Sequence, residues 1–309
     1  MTVIRYGDTS DSIVNLAHEN FVQPGMDAHT LCTTPIELLS KDGSETVIGT
    51  ATGFFWRSNG QAYLVTNWHV ISGRNPFTGE ISSPAGYTPS QFNFYGTSLE
   101  LNGGRVTIER KRLKITLGEH AEAVLQKPPV VAGGPVDLWA MPFPNEFVIG
   151  LNPSRTGFQG AGAVTSFINE NAFTRIVTEA GDDCVILGYP LRNYAGGNFP
   201  VWKRGSIASD VGIGVDGRPM FLIDAATTPG MSGSPILRRV NTFTADNRNV
   251  GALQEFHALE FIGVYAGRLQ SAELAATNLG YGWFRILIPD VVKQFTNNIA
   301  AKVMTDAST

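Results

Sequence analysis

Along this chain, short apolar runs rich in β-branched and aromatic residues alternate with clusters of Gly, Pro, Asn and Ser, and few stretches carry a helical period. That pattern predicts an all-β protein. In the first half the candidate strands are "TLCTTPIELL", "VIGTATGFFWR", "QAYLVTNWHVI", "RVTIE", "LKITL" and "DLWAMPF". In the second they are "FTRIVT", "DCVILGYP", "FPVWKRGSIA", "PMFLIDA", "SGSPILRR", "EFIGVYAG" and "GWFRILI". Roughly six strands fall on each side of a linker-like region near residues 145–170, so the simplest arrangement is two six-stranded antiparallel β-barrels with a cleft between them. The corresponding units are residues 29–150 and 151–309, preceded by an extension over 1–28.

Helix is confined to a few places. The clearest is the C-terminal "IPDVVKQFTNNIAAKV", where Pro289 and Asp290 suit a first turn and Val292, Phe295, Ile299 and Val303 share one face that should dock on a barrel. Residues 10–21 and 270–278 are expected to form two further short helices.

Composition narrows the function. With 309 residues, 43% of them hydrophobic, the chain can bury a large core. A net charge of −4 with no long basic run argues against nucleic acid or an anionic membrane surface as a partner. The one basic cluster, "ERKRLK" (Glu109 to Lys114), sits between alternating runs and reads as a solvated strand or hairpin. No stretch approaches the ~18 apolar residues of a membrane span, and the N-terminus lacks a basic start followed by an apolar run, so a cytoplasmic location is the default expectation. The two cysteines, Cys32 and Cys184, each lie within an apolar run and suit reduced core thiols.

Metal chemistry finds no support, because the five histidines are scattered and neither HExxH nor CxxC occurs. The stretch "GIGVDG" (Gly212 to Gly217) matches a dinucleotide-binding pattern, but a strand-like run follows it where a helix is needed, and a hairpin turn is the better reading. No organic cofactor is implied. What remains is His69 in "YLVTNWHVISG", Asp137 entering the apolar run of "GGPVDLWAMPF", and Ser232 bracketed by Gly230, Gly233 and Pro235. His69 and Ser232 each have a bland reading, a satisfied structural histidine and a serine in a turn. Together with Asp137 they suit acyl transfer. An aspartate entering a hydrophobic strand needs a partner such as a histidine N–H, and glycines allow backbone N–H groups to converge on a developing oxyanion.

At these three places the sequence resembles the chymotrypsin-like serine peptidases. "VTNWHV" is similar to that family's T-A-A-H-C box, "VDLWAM" to its D-I-A-L box and "PGMSGSP" to its G-D-S-G-G-P box, in the same order and 68 and 95 residues apart. The resemblance covers about residues 30–303 and is nearest to the glutamyl-endopeptidase branch in "DAATTPGMSGSPI". It implies His69 as general base, Asp137 as its orienting acid, Ser232 as nucleophile, and the N–H groups of Gly230 and Ser232 as oxyanion hole. The substrate would be a protein or peptide. Met231 departs from the family pattern: digestive members carry an aspartate there, which pairs with a new N-terminus after zymogen cleavage, so that route of activation is not expected. By the same resemblance the specificity pocket involves Ala226, Thr227, Tyr265, Ala266, Gly267 and Arg268. Ala226 falls where trypsin-like enzymes hold an aspartate, which disfavours cleavage after Lys or Arg. Two other readings compete with a working peptidase. One is a silent version of the same fold that binds a peptide or partner; the other is an α/β-hydrolase esterase, which needs G-x-S-x-G and the order Ser, Asp, His.

Overall fold

The structure is a computed structural model and describes residues 4–8, 27–40, 45–82, 86, 89–102, 105–117, 125–143, 167–170, 177–192, 199–245, 253–269 and 277–296. Two β units make up its body. The first is an open, half-barrel sheet in the order β1-β6-β5-β2-β3-β4-β9, and the second is a closed six-stranded barrel in the order β10-β11-β12-β15-β14-β13.

The sheet is built from β1 (Ile4–Asp8), β2 (Thr33–Leu39), β3 (Val47–Ser58), β4 (Gln61–Thr66), β5 (Gln91–Asn102), β6 (Arg105–Leu117) and β9 (Trp139–Phe143). A two-residue ladder of β7 (Val130–Val131) and β8 (Gly134–Pro135) lies beside it. The barrel comprises β10 (Asp183–Gly188), β11 (Val201–Ile207), β12 (Met220–Asp224), β13 (Pro235–Ala245), β14 (Leu253–Arg268) and β15 (Leu279–Phe284). All named pairings are antiparallel.

The all-β expectation, with a second unit closed by six strands and a C-terminal helix over 288–296, matches the structure. Several details differ, first among them that the expected first six-stranded barrel is an open seven-stranded sheet, to which β1 adds an edge strand. "RVTIE" and "LKITL" are one continuous strand, β6, which takes the strand alternative for the basic cluster, but Arg110 within it is fully buried and not solvated. Its partner β5 did not stand out in the sequence, because Tyr95, Gly96 and Thr97 interrupt the polar–apolar alternation of "QFNFYGTSLELN" and split it into two short pieces. Ile4–Asp8, within the expected extension, adds to the sheet as a strand against β6. The expected helix over 10–21, nearly all of that over 270–278, the positions Ile299 and Val303, and most of "FTRIVT" lie outside the described residues.

Continuous apolar runs in β3 and β4 have a packing cause. Successive side chains on a strand point to opposite faces. Phe55, Ala62 and Leu64 enter the sheet's own core, whereas Phe54, Trp56, Tyr63 and Val65 face a second core that also holds Val185, Leu187, Leu237, Phe261 and Trp283 of the barrel. Both faces are therefore buried, and the usual alternation vanishes. The C-terminal helix closes this shared core with Ile288, Val291 and Val292. Edge-on pairs of Phe54 and Trp56 with Phe261, at 5.2 and 6.2 Å, join the two units and contribute about 0.5–1.5 kcal/mol each beyond area burial. Arg110, fully buried, donates to the Thr33 carbonyl and to the Tyr189 hydroxyl of the barrel at 3.0–3.1 Å.

Candidate active site

The strand β4 ends at Thr66, and its chain turns at once into a short helix, α2 (Trp68–Ser72), closed by Gly73 in the left-handed region at φ 67°. A second short helix, α1 (Ala28–Leu31), precedes β2. His69 thus sits in the first turn of α2, whereas the candidate strand "QAYLVTNWHVI" ran through it. Asp137 precedes β9, next to β4 in the sheet, which brings the two residues together.

The contact between them is double. The Asp137 carboxylate accepts the His69 backbone N–H at 2.8 Å through Oδ1 and meets the ring Nδ1 at 2.6 Å through Oδ2. A carboxylate can only accept, so Nδ1 carries the hydrogen and Nε2 keeps its lone pair. The Asn67 side chain fixes the other end of the aspartate by donating to its carbonyl at 2.8 Å. Asp137 has no exposed side-chain surface, whereas 27% of the His69 side chain is exposed. Burial by itself disfavours the imidazolium, but the charge of Asp137 and its hydrogen bond outweigh that, and the His69 pKa lies above its ordinary value.

Ser232 lies in the turn between β12 and β13. Four successive carbonyls of this turn are each occupied: Pro229 by the Leu191 N–H at 2.8 Å, Gly230 by the Thr52 hydroxyl at 2.8 Å, Met231 by the Ser234 N–H at 3.0 Å, and Ser232 by the Thr52 N–H at 2.8 Å. Among the described residues, the N–H groups of Gly230 and Ser232 have no acceptor. Gly230 takes φ +98°, and a Cβ there would stand 2.3 Å from the Tyr189 carbonyl, so only glycine fits. Met231 is wholly buried among Ile236, Ile262 and Tyr265 of the barrel. The Ser232 hydroxyl donates to the Ala266 carbonyl at 3.2 Å rather than to His69.

His69 and Ser232 line the same cleft, a space of about 730 Å³ between the two units. Of the residues expected at a specificity pocket, Thr227, Tyr265, Ala266, Gly267 and Arg268 line it too. Ala226 does not: it is exposed and outside the lining. The Thr227 and Tyr265 hydroxyls meet at 2.5 Å, and the Arg268 guanidinium donates to the Thr227 carbonyl. Burial, only partly offset by the Thr227 hydrogen bond and the Arg268 charge, raises the Tyr265 pKa and keeps it a phenol.

Sequence reasoning missed the opposite wall. A loop after α2 binds itself through Asn75 and Arg74 and presents Phe77, whose ring lies 4.1 Å under the Arg218 guanidinium. Arg218 belongs to the turn around "GIGVDG", which is a hairpin closed by a Val215–Arg218 bridge. Thr52 and Leu191 were also missed, since nothing in the local sequence marks either as a support for the Ser232 turn.

Among the described residues, no group of three or more His, Cys, Asp or Glu could hold a metal ion, and no helix is long and apolar enough to cross a membrane. Cys32 and Cys184 are buried thiols. No protein-family model matches the sequence, and no curated protein matches it. Among solved structures, the inactive form of a serine-to-alanine mutant of Rv3671c from M. tuberculosis H37Rv is similar, with a TM-score of 0.37 and 14% identity over 86% of this chain and 87% of that one.

Proposed function

We propose that the protein is a serine endopeptidase that cleaves peptide bonds through an acyl-enzyme, with Ser232 as nucleophile, His69 as general base and Asp137 as orienting acid. The observation that carries this reading is the doubly held His69, which lines the same cleft as Ser232, beside a turn in which the Gly230 and Ser232 N–H groups have no acceptor among the described residues. The sheet unit supplies base and acid, and the barrel unit supplies the nucleophile and the donors.

In the forward reaction the Ser232 hydroxyl turns from Ala266 to His69 Nε2, gives up its proton and attacks the substrate carbonyl. The oxygen that becomes negative faces the Gly230 and Ser232 N–H groups, a contact of the kind worth about 10²–10³ in rate per donor. Asp137 stabilises the imidazolium formed. His69 returns the proton to the leaving amine, and a water repeats the sequence to free the acid. No metal or organic cofactor enters these steps. The two buried thiols suit a reducing compartment, and a cytoplasmic location goes with this reading.

A second reading, a silent binder of peptides, draws on the Ser232 hydroxyl being engaged by Ala266. Labelling with a fluorophosphonate and profiling with a peptide library, wild type against Ser232→Ala, separates the two. A peptidase labels at Ser232, cleaves the library, and loses both in the variant; a binder does neither while still retaining peptides.

A further inference from the structure

The buried aspartate that anchors this turn in activated digestive peptidases is absent, and Met231 stands in its place. Something else must set the direction of the oxyanion donors. In a trans peptide the C=O and N–H point opposite ways, so holding a carbonyl fixes the N–H of the same unit. The Pro229 and Met231 carbonyls, tied to Leu191 and Ser234, aim the N–H groups of Gly230 and Ser232 away from those partners.

Between these two units lies the Gly230–Met231 peptide. Its N–H makes a long bond of 3.3 Å to the Thr228 carbonyl, and its carbonyl accepts from the Thr52 hydroxyl at 2.8 Å. Gly230 is the residue at which this unit could rotate most freely, and rotation there would displace the N–H groups on either side. The Thr52 hydroxyl also accepts from the Tyr189 N–H at 3.2 Å, so its hydrogen is committed to Gly230. Thr52 N–H takes the Ser232 carbonyl, and the Thr52 carbonyl takes the Thr66 hydroxyl at 2.7 Å. Every polar atom of this one fully buried residue is therefore used, and two of its bonds run to the turn that holds Ser232.

The surroundings are shaped to admit it. A Cβ on Gly188 would lie 2.9 Å from the Thr52 hydroxyl and closer still to Ser234 and Met231, and a Cβ on Gly233 would lie 2.0 Å from the Thr52 carbonyl. Both glycines belong to the barrel unit, whereas Thr52 is on β3 of the sheet.

We propose that Thr52 is a positioning residue that holds the Gly230–Met231 peptide across the unit boundary, so that docking of the sheet on the barrel assembles the oxyanion hole. This rests on the peptidase reading above. It makes competence a consequence of folding, in place of a cleavage that frees an anchoring N-terminus.

The test compares Thr52→Val, which keeps the shape and the backbone N–H but removes the hydroxyl, with Thr52→Ser, which restores it. Rates are expressed per active site titrated with a fluorophosphonate, so that any loss of folded protein drops out. The expected result is a fall in kcat of about 10²-fold for Thr52→Val with KM within a few-fold of wild type, and recovery to within several-fold in Thr52→Ser. If the valine variant does not fold, Thr52→Cys, whose thiol is a weak donor, takes its place against Thr52→Ser. A wild-type kcat in the hydroxyl-free variant overturns the proposal, as does a rise in KM alone. Failure of the wild-type protein itself to label or cleave sinks the peptidase reading instead, so the two failures are distinct.

Discussion

Replacing Asp137 by asparagine removes a charge without removing volume, and the double contact to His69 makes its effect calculable. The carboxylate accepts two N–H groups of one residue, at 2.8 and 2.6 Å, one through each oxygen. A carboxamide has a single accepting oxygen. If that oxygen faces the His69 backbone N–H, the NH₂ group faces Nδ1, and the imidazole must take the tautomer with its hydrogen on Nε2. In that state Nε2 cannot receive the Ser232 proton. The opposite rotamer sets NH₂ against the backbone N–H in a fully buried site, two donors without an acceptor. The first arrangement is therefore favoured, and with the wrong tautomer kcat should fall by about 10⁴, or about 5 kcal/mol at 1.36 kcal/mol per tenfold. The measurement is kcat on a profiled peptide, normalised to titrated sites. A variant within tenfold of wild type would refute the role given to Asp137.

The same substitution changes the pH response with a definite sign. Burial opposes the imidazolium, and the charge and hydrogen bond of Asp137 reverse that, leaving the His69 pKa raised above about 6.5. The proposed base must be neutral to take a proton, so on that reading wild-type activity should rise through a midpoint above pH 6.5 and fail below it. Without the charge only the burial effect remains, and the imidazole of Asp137→Asn should titrate below 6.5, as read by NMR on a Ser232→Ala background. A raised folded pKa also means that the pair's stabilisation is fully present below the unfolded value and is lost as pH rises through the folded one. Thermal unfolding should therefore show this loss in the parent, and the Asn variant should lack it.

Two further outcomes follow from the packing around the turn and the core. Gly233→Ala forces a residue at φ +85° to carry a Cβ 2.0 Å from the Thr52 carbonyl and 2.2 Å from the Thr66 hydroxyl, so about 3 kcal/mol or more of stability should be lost in urea unfolding, and an unchanged midpoint would contradict the contact. Burial, with a smaller push from Asp183, raises the Cys184 thiol to about 12, so a thiol reagent at pH 8 should leave it unmodified until the protein is denatured.

How much of this was legible in the sequence depends on what each feature demands of residue type. The barrel strands stood out because their inward faces need Val, Ile, Leu and Phe, and β3 and β4 stood out most because both of their faces are buried. β5 was missed because Tyr95, Gly96 and Thr97 break its alternation in the middle. His69, Asp137 and Ser232 stood out in the sequence because the proposed proton transfer and nucleophilic attack require particular side chains, and the structure joins His69 to Asp137 and sets Ser232 on the same cleft. The wall made by Phe77 and Arg218 was not, since a loop and a hairpin from different units meet there and neither carries a local mark.

The supports of the Ser232 turn belong to that second kind for a deeper reason. A carbonyl can be satisfied by any N–H or hydroxyl that reaches it, so Leu191, Ser234 and Thr52 are not constrained by type in the way a nucleophile is. Met231 was the one visible clue. A methionine where an anchoring aspartate was expected meant that the turn had no charge to hold it, and in the structure that side chain is sealed in apolar packing, unable to orient any peptide by hydrogen bonding. Orientation then has to come from the carbonyls. Three of the four are served by backbone N–H groups, whose positions follow from the fold itself, and only Gly230 depends on a side chain. Substitution can therefore act on the turn's geometry, with the backbone bonds intact, at one residue of β3, and the small glycines at 188 and 233 record how closely that residue must approach.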